Sequence, residues 1–460
     1  MAKICFLGAG STIFAKTVLG DCLYVDAFKD AEIALLDIDP QRLKESRQLV
    51  ENLNRTLGAK ATIKGYLADQ AEEAFRGANY FVNAIQVGGY EPATVIDFEI
   101  PKKYGLRQTI GDTLGIGGIF RALRTIPVML DYCRIIERVA PDAWLLNYSN
   151  PMAMLTGAIL KATGVKTVGL CHSVQVCAPH LCHELDLPTD DLQWKVAGIN
   201  HQGWLLEIKR HGEDLYPEIK RRAQLPEYNY KDAVRFEIMK RFGYYVTESS
   251  EHSAEYFPWF IKARNPELIE RFHIPLDEYP RRCRVQIAAW EAMRAVLAGE
   301  EVDARDPDTG EPLTMFGLPI TREVLERYLN EHQRTHEYAS YIMEAMETGN
   351  PYTFGGNVLN TGLITNLPYN CCVEVMCVAD RSGVTPTYVG DLPAQLAALN
   401  RTSINVQELT ILAALTKKRD YIYQAALLDP HTAAELTIDE IVAMCDDLIE
   451  AHGHYLPRYR

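Results

Sequence analysis

The sequence predicts an α/β protein in which a Rossmann-like, doubly wound parallel sheet is followed by an α+β lobe. Three observations carry that class. Short, continuously apolar segments alternate with helical stretches up to about Asn200, the pattern of parallel strands covered on both faces. The first strand runs straight into a glycine turn that opens a helix. Beyond Asn200 the alternation gives way to strands of a mixed sheet and long helical tracts.

In order, Lys3 to Leu7 is an apolar strand, Gly8-Ala9-Gly10-Ser11-Thr12 a turn, and the residues to about Ala27 a helix. Glu32 to Leu36 is a second strand, closed by Asp37-Ile38-Asp39-Pro40, and Gln41 to about Leu57 is a helix with one strongly polar face. Ala61 to Tyr66, Tyr80 to Ile85, Ala143 to Tyr148 and Thr167 to Leu170 complete the series of strands. Further on, Trp194 to Gly198, Trp204 to Lys209 and Asn370 to Val378 read as strands. Thr385 to Val389 is restricted to a sheet edge, because Pro386 lacks the N–H that a central ladder requires. Helical tracts cover Tyr279 to Ala298, Arg322 to Thr348, and Leu392 to the C-terminus. Asp303 to Glu311, charged and rich in turn formers, is a surface loop. The lobes divide into residues 1–196 and 197–460.

A length of 460 residues suits two or three lobes. Sixty-one acidic against 47 basic residues give a net charge of −14, which would repel a nucleic acid or an anionic membrane. No apolar run is long enough to span a bilayer, and the opening strand leaves no room for a signal peptide. The eleven cysteines form no disulfide-like framework and include adjacent Cys371 and Cys372. They suit a reducing compartment, so a cytoplasmic protein is expected.

Gly8 and Gly10 occupy the first two positions of a dinucleotide fingerprint, whose third position is Ile13. Glycines there let the chain turn tightly and bring a pyrophosphate onto a helix N-terminus. Gly8, Gly10, Ser11 and Thr12 are therefore candidate cofactor contacts. Asp37, at the end of the next strand, is placed to accept from a ribose 2′-hydroxyl, with Asp39 as a competing choice. An acid at this position favours NAD over NADP, whose 2′-phosphate it would repel. A tight turn in an unliganded sheet is the plainer alternative.

Cys171 and His172 lie at the C-terminal end of a strand, the edge at which open parallel sheets bind ligands. His201 follows another strand-like segment, and Cys171 with His201 is a candidate pair for a divalent cation. Taken singly, a cysteine is often an inert core residue and a histidine a structural one. Spacing alone favours those readings.

Several segments in fixed order change that balance. They are Phe6 to Thr12, Leu36 to Pro40, Asn147 to Met152, Gly169 to Gln175 and Ala197 to His201. On these segments the chain resembles glycoside hydrolase family 4, the NAD- and metal-dependent glycosidases, along essentially its whole length. The Cys-His-Ser-Val segment, Val246 to His252 and Pro275 to Pro280 resemble the members that act on α-galactosides. The resemblance implies a dehydrogenase-like architecture on the lactate and malate dehydrogenase plan. The first lobe would bind NAD, and the second would carry substrate and oligomer contacts.

The resemblance further implies that Cys171 and His201 hold manganese or another divalent metal, that Asn150 contacts the sugar, and that His172 assists the leaving group. For the base that removes a carbon-bound proton it favours Tyr256, then Glu248, from a stretch that also holds Glu251, His252 and Glu255. Arg281 or Arg282, with Arg282 preferred, is a candidate for binding sugar hydroxyls, and equally a surface feature at a helix start. The implied chemistry is oxidation at the sugar's C3, elimination across C1–C2, addition of water and re-reduction, with no net redox change.

A small-molecule sugar is the expected partner, without nucleic acid or membrane, in a homodimer or homotetramer. An α-glucosidase or α-glucuronidase using the same route is the alternative, and a hydroxy-acid dehydrogenase the second. Residues from about 288 to 350 exceed the closest pattern in the family, which bears on oligomer contacts and aglycone preference.

Overall fold

A computed structural model describes residues 2–315 and 317–460. The strands are β1 (Lys3–Leu7), β2 (Glu32–Asp37), β3 (Thr62–Leu67), β4 (Tyr80–Asn83), β5 (Trp144–Asn147), β6 (Lys166–Gly169), β7 (Leu192–Ile199) and β8 (Gln202–Arg210). They continue with β9 (Glu213–Asp214), β10 (Tyr245–Val246), β11 (Thr314–Met315), β12 (Leu318–Pro319), β13 (Tyr352–Leu359), β14 (Cys372–Asp380) and β15 (Gly383–Pro386). All except the β11–β12 hairpin belong to one sheet of thirteen strands, whose main path is β10-β8-β7-β14-β13-β6-β5-β4-β1-β2-β3.

The half β3-β2-β1-β4-β5-β6 is parallel throughout. Its strands are apolar at successive positions because both faces are covered. Ile4 and Phe6 point into a core shared with the helices Thr12–Tyr24, Pro40–Thr56 and Tyr338–Thr348. Cys5 and Leu7 point the opposite way, against Ala71–Phe75 and the long helix Gly115–Val139. The helix after β2 starts where Asp39 accepts from the N–H groups of Gln41 and Arg42, with Pro40 in its first turn.

The second half of the sheet is antiparallel, and β13 joins β6 through the single pair Asn357–Gly169. The close approach there requires the glycine, since a Cβ on Gly169 would sit 2.5 Å from Thr156 Oγ1 and 2.8 Å from Asn357 Cβ. The expected boundary at 196 falls inside β7, which pairs with β8 from Leu192 to Ile199 and shifts register between Lys195 and Val196. The C-terminal helices Ala394–Thr416, Asp420–Leu428 and Ile438–His452 return to pack on Gly115–Val139 and Met152–Ala162 of the first half. The two lobes therefore share one sheet and one helical layer.

The edge position expected for Thr385–Val389 is taken by β15, shifted two residues earlier and paired only to β14. The tract Arg322–Thr348 breaks into helices Arg322–Asn330 and Tyr338–Thr348, and the C-terminal tract into four helices. Within the segment 288–350, Trp290 stacks between the guanidinium groups of Arg42 and Arg294, at 4.1 and 3.8 Å from the ring centre. This joins the segment to the helix that follows β2. No helix among the described residues is long and apolar enough to cross a membrane.

Candidate active site

The site is assembled where parallel strands end. After β1 the chain turns at Gly8 (φ +81°), where a Cβ would lie 2.8 Å from the carbonyl oxygen of Ala84 beyond β4. The turn is braced by Asp37, whose Oδ2 accepts from Gly10 N at 2.6 Å and whose Oδ1 accepts from Asp39 N at 2.9 Å. Asp37 thus holds the glycine turn, while Asp39 caps the next helix. Each oxygen of Asp37 keeps a second lone pair for an outside hydroxyl. Ser11 caps the helix Thr12–Tyr24 without a side-chain bond, and no acidic residue stands in its first turn. That helix terminus fits a pyrophosphate.

Beyond β6, Cys171 caps the helix His172–Glu184. His201 occupies the two-residue turn between β7 and β8, in left-handed backbone at φ +63°. Glu248 precedes the short helix Ser250–Tyr256. One ligand atom from each of Cys171, His201 and Glu248 lies within 4.8 Å of the others, and Glu248 Oε2 is 3.2 Å from His201 Nε2. On the other side of the ring, His201 Nδ1 shares a 2.8 Å hydrogen bond with the hydroxyl of buried Tyr256. A partner at the far nitrogen sets the tautomer and orientation of a metal-binding imidazole. Thiol, imidazole and carboxylate make a donor set that fits a divalent cation.

Electrostatics divide these groups. Burial pushes the Cys171 thiol far above its usual value, and Glu374 and Glu248 reinforce the shift. Burial lowers the His201 imidazole to about 4, so that it is neutral near pH 7. Burial opposes ionisation of Glu248, but the imidazoles of His201 and His252 and the N–H of Ser249 outweigh it and bring the carboxyl down to about 2. Burial drives the Tyr256 phenol well above its ordinary range.

Asn150 donates from Nδ2 to Asp112 Oδ2 at 3.3 Å, while its buried Oδ1 has no hydrogen-bond partner among the described residues. Asp112 is delivered by the loop 108–112, whose Thr109 and Gly111 N–H groups both donate at 2.8 Å to Glu255. Glu255 is therefore a loop anchor, its carboxyl raised to about 7 by burial. Arg282 is turned to Glu278 (2.7 Å) and to Glu251 (3.7 Å), with its side chain 43% exposed. His172 is not one of the three ligand residues: its Nε2 is 2.5 Å from Glu337 Oε2. Phe14, in the first turn after the glycine turn, packs against the rings of His172 and Tyr148, and His172 directly follows Cys171, so the nucleotide turn lies next to the segment that carries the thiol.

Residues 3–187 match the description "Family 4 glycosyl hydrolase" and residues 196–432 match its C-terminal domain. The chain belongs to glycosyl hydrolase family 4. It is 57% identical over 461 residues to an α-galactosidase of Bacillus subtilis (strain 168), covering 100% of both chains. Among solved structures, a family 4 fold is shared with a 6-phospho-α-glucosidase from gut microorganisms, in complex with NAD and Mn2+. That match has a TM-score of 0.73 at 19% identity, over 100% of both chains. The dehydrogenase-like plan extends to malate dehydrogenase from Plasmodium falciparum, with a TM-score of 0.50 at 14% identity over 92% of this chain and 100% of that one.

Three acids of this family 4 site escape sequence reasoning: Asp112, Glu337 and Glu374. Only Glu374 left a signal, as a lone acid inside the apolar run Cys371 to Val378. It is fully buried, and Oε1 accepts from Asn357 (2.8 Å) and Asn200 (3.4 Å) while Oε2 has no partner. Burial raises its carboxyl to about 7.

The folded protein holds this proton more tightly than the unfolded chain. Glu374 therefore costs nothing below the unfolded value of 4.5, and costs increasing stability as pH rises from there to about 7. In metal-free protein, Glu374→Gln is expected to change unfolding free energy little at pH 4.5 and to raise it by about 1–3 kcal/mol at pH 8. Equal effects at the two pH values in urea titrations would contradict a buried, proton-binding Glu374.

Proposed function

We propose that this family 4 enzyme hydrolyses α-galactosides of unphosphorylated sugars, using NAD at the glycine turn and a divalent cation, manganese by preference, at Cys171, His201 and Glu248. The observation that carries the reading is the placement of the thiol–imidazole–carboxylate cluster beside the nucleotide turn, on one edge of one sheet. The full-length identity to an α-galactosidase supports the choice of sugar. The Mn2+ and NAD in the 6-phospho-α-glucosidase structure support the choice of cofactors.

When bound, NAD supplies a hydride acceptor for the sugar's C3 and the cation supplies positive charge at the neighbouring oxygens. The chain's own residues do the rest. Asn150 Oδ1, buried and without a hydrogen-bond partner among the described residues, is placed to accept from a sugar hydroxyl. Tyr256 is the proposed base for the C2 proton; a cation held by Cys171, His201 and Glu248 would supply the positive charge that lowers its buried phenol. Glu248 serves as a ligand, because a carboxyl held near 2 is a weak base. His172 gives a proton to the departing oxygen. Asp37 is the proposed acceptor from the ribose, in addition to bracing the turn. Arg282 is the proposed contact for substrate, once released from Glu278.

The protein is proposed to work in the cytoplasm, for which its free cysteines are suited, as a homodimer or homotetramer resolvable by light scattering. The test is release of nitrophenol from α-galactoside, α-glucoside and α-glucuronide, each with and without NAD, Mn2+ and a thiol reductant. Turnover of the galactoside is expected only with all three additions and without accumulating NADH. Hydrolysis that survives chelation and removal of NAD would sink the redox route. Preference for the glucoside or glucuronide would overturn the sugar assignment alone.

A further inference from the structure

Glu337 is a buried acid outside the glycine turn and the metal-ligand cluster, and its surroundings are built to hold it in one place. It caps the helix Tyr338–Thr348 at the end of an irregular stretch, 331–337. That stretch is pinned by Asp21, fully buried in the helix that follows the glycine turn. Asp21 Oδ1 receives His332 Nε2 at 2.6 Å and Thr335 N at 2.8 Å, and Oδ2 receives Thr335 Oγ1 at 2.6 Å. Thr335 Oγ1 in turn accepts from Glu337 N at 3.0 Å.

The Glu337 carboxylate makes two short contacts. Oε2 is 2.5 Å from His172 Nε2, and Oε1 accepts from the Tyr148 hydroxyl at 2.5 Å. The Tyr148 oxygen in turn accepts from Ala339 N at 3.2 Å. A carboxylate at Nε2 requires that nitrogen to carry hydrogen, which leaves Nδ1 as the free nitrogen of the ring. Phe14 and Tyr338 meet the imidazole edge-on and Tyr148 lies tilted against it, yet 55% of the side chain is exposed. One edge of the ring is clamped and the other is open.

We propose that Glu337 is the positioning residue of His172, clamping Nε2 so that Nδ1 faces the departing glycosidic oxygen, and that it thereby sets which aglycones this enzyme can expel. The proposal rests on the reading of His172 as proton donor. In that step the ring starts with hydrogen on both nitrogens: the C1–O bond breaks with its electron pair passing to oxygen, oxygen takes the proton from Nδ1, and the N–H bonding pair stays on the ring, which is left neutral with hydrogen on Nε2. A good leaving group departs without that proton, whereas an alkoxide does not. Misalignment of His172 should therefore penalise alkyl and sugar aglycones and spare nitrophenyl ones.

The experiment uses full-length enzyme with NAD, Mn2+ and reductant, and compares nitrophenyl α-galactoside with a disaccharide α-galactoside. Glu337→Gln is expected to lower kcat for the disaccharide by about 10²–10³-fold and for the nitrophenyl substrate by less than about 10-fold. KM and the dissociation constant of NAD should stay within about twofold, and Glu337→Asp should recover part of the disaccharide rate. The ratio of the two rates within one preparation does not depend on how much of a variant is folded. His172→Ala calibrates the assay. If it discriminates between the aglycones and Glu337→Gln does not, the proposal is overturned alone. If His172→Ala loses both activities equally, the reading of His172 fails and the proposal falls with it.

Discussion

Cys171→Ala is expected to lower manganese-dependent hydrolysis by at least about 10³-fold, the equivalent of about 4 kcal/mol of lost charge stabilisation. It should do so while leaving the affinity for NAD within about twofold, because the glycine turn is held by the Asp37 side chain and by Leu36 O, which accepts from Gly8 N and Ala9 N. The change removes the only ligand of the three that must lose a proton. His201 and Glu248, at about 4 and about 2, are already deprotonated near neutral pH, while the thiol is held protonated. Cation binding should therefore release one proton, so that affinity for Mn2+ rises by about one log unit per pH unit between pH 6 and 8. In Cys171→Ala that slope should vanish. Titration of free Mn2+ by electron paramagnetic resonance reads both affinity and slope, and an unchanged slope in the variant would remove Cys171 from the ligand set.

The second large effect concerns stability and lies away from the chemistry. Asp97, in the helix Val95–Lys103, is buried against Arg124 and His452. Its Oδ2 accepts from Arg124 Nη2 at 2.6 Å, and Oδ1 accepts from Arg124 Nη1 at 3.1 Å and pairs with His452 Nε2 at 2.8 Å. Arg124 and His452 have no exposed side-chain surface, so neither can turn to water when the carboxylate is lost. Asp97→Ala leaves a buried guanidinium whose remaining hydrogen bond, among the described residues, is to the carbonyl of Val87, at an expected cost of about 3–5 kcal/mol. The C-terminal helix carrying His452 is anchored by the same carboxylate, so its protection from hydrogen exchange should fall first. A loss below about 1 kcal/mol in denaturant would show that the triad contributes little to holding that helix.

The nucleotide half was legible because its signals are local. An apolar strand, a glycine turn and an acid at the end of the next strand follow one another in sequence, and the structure brings them together through Gly10 and Asp37. Cys171 and His201 were readable only as residues at strand ends, and their pairing came from order along the family pattern. Glu248 was expected as a base and stands with the two ligands. Tyr256 was expected at the substrate and stands behind His201. Asp37 was expected to face a ribose and is also the brace of its own turn. His172 was expected to assist the leaving group, and its ring is held by an acid 165 residues away.

By itself, then, the sequence determined the parallel sheet, the glycine turn and the candidate ligand types, because periodicity and turn chemistry act over a few residues. Only the tertiary structure decided which acid stands against which ring. The positions of Glu337, Glu374 and Asp112 depend on the sheet continuing from β6 into β13 and β14, and on loops that burial holds against it. Burial also raises the carboxyl of Glu374 to about 7, and no stretch of sequence carries the dielectric in which its side chains will lie.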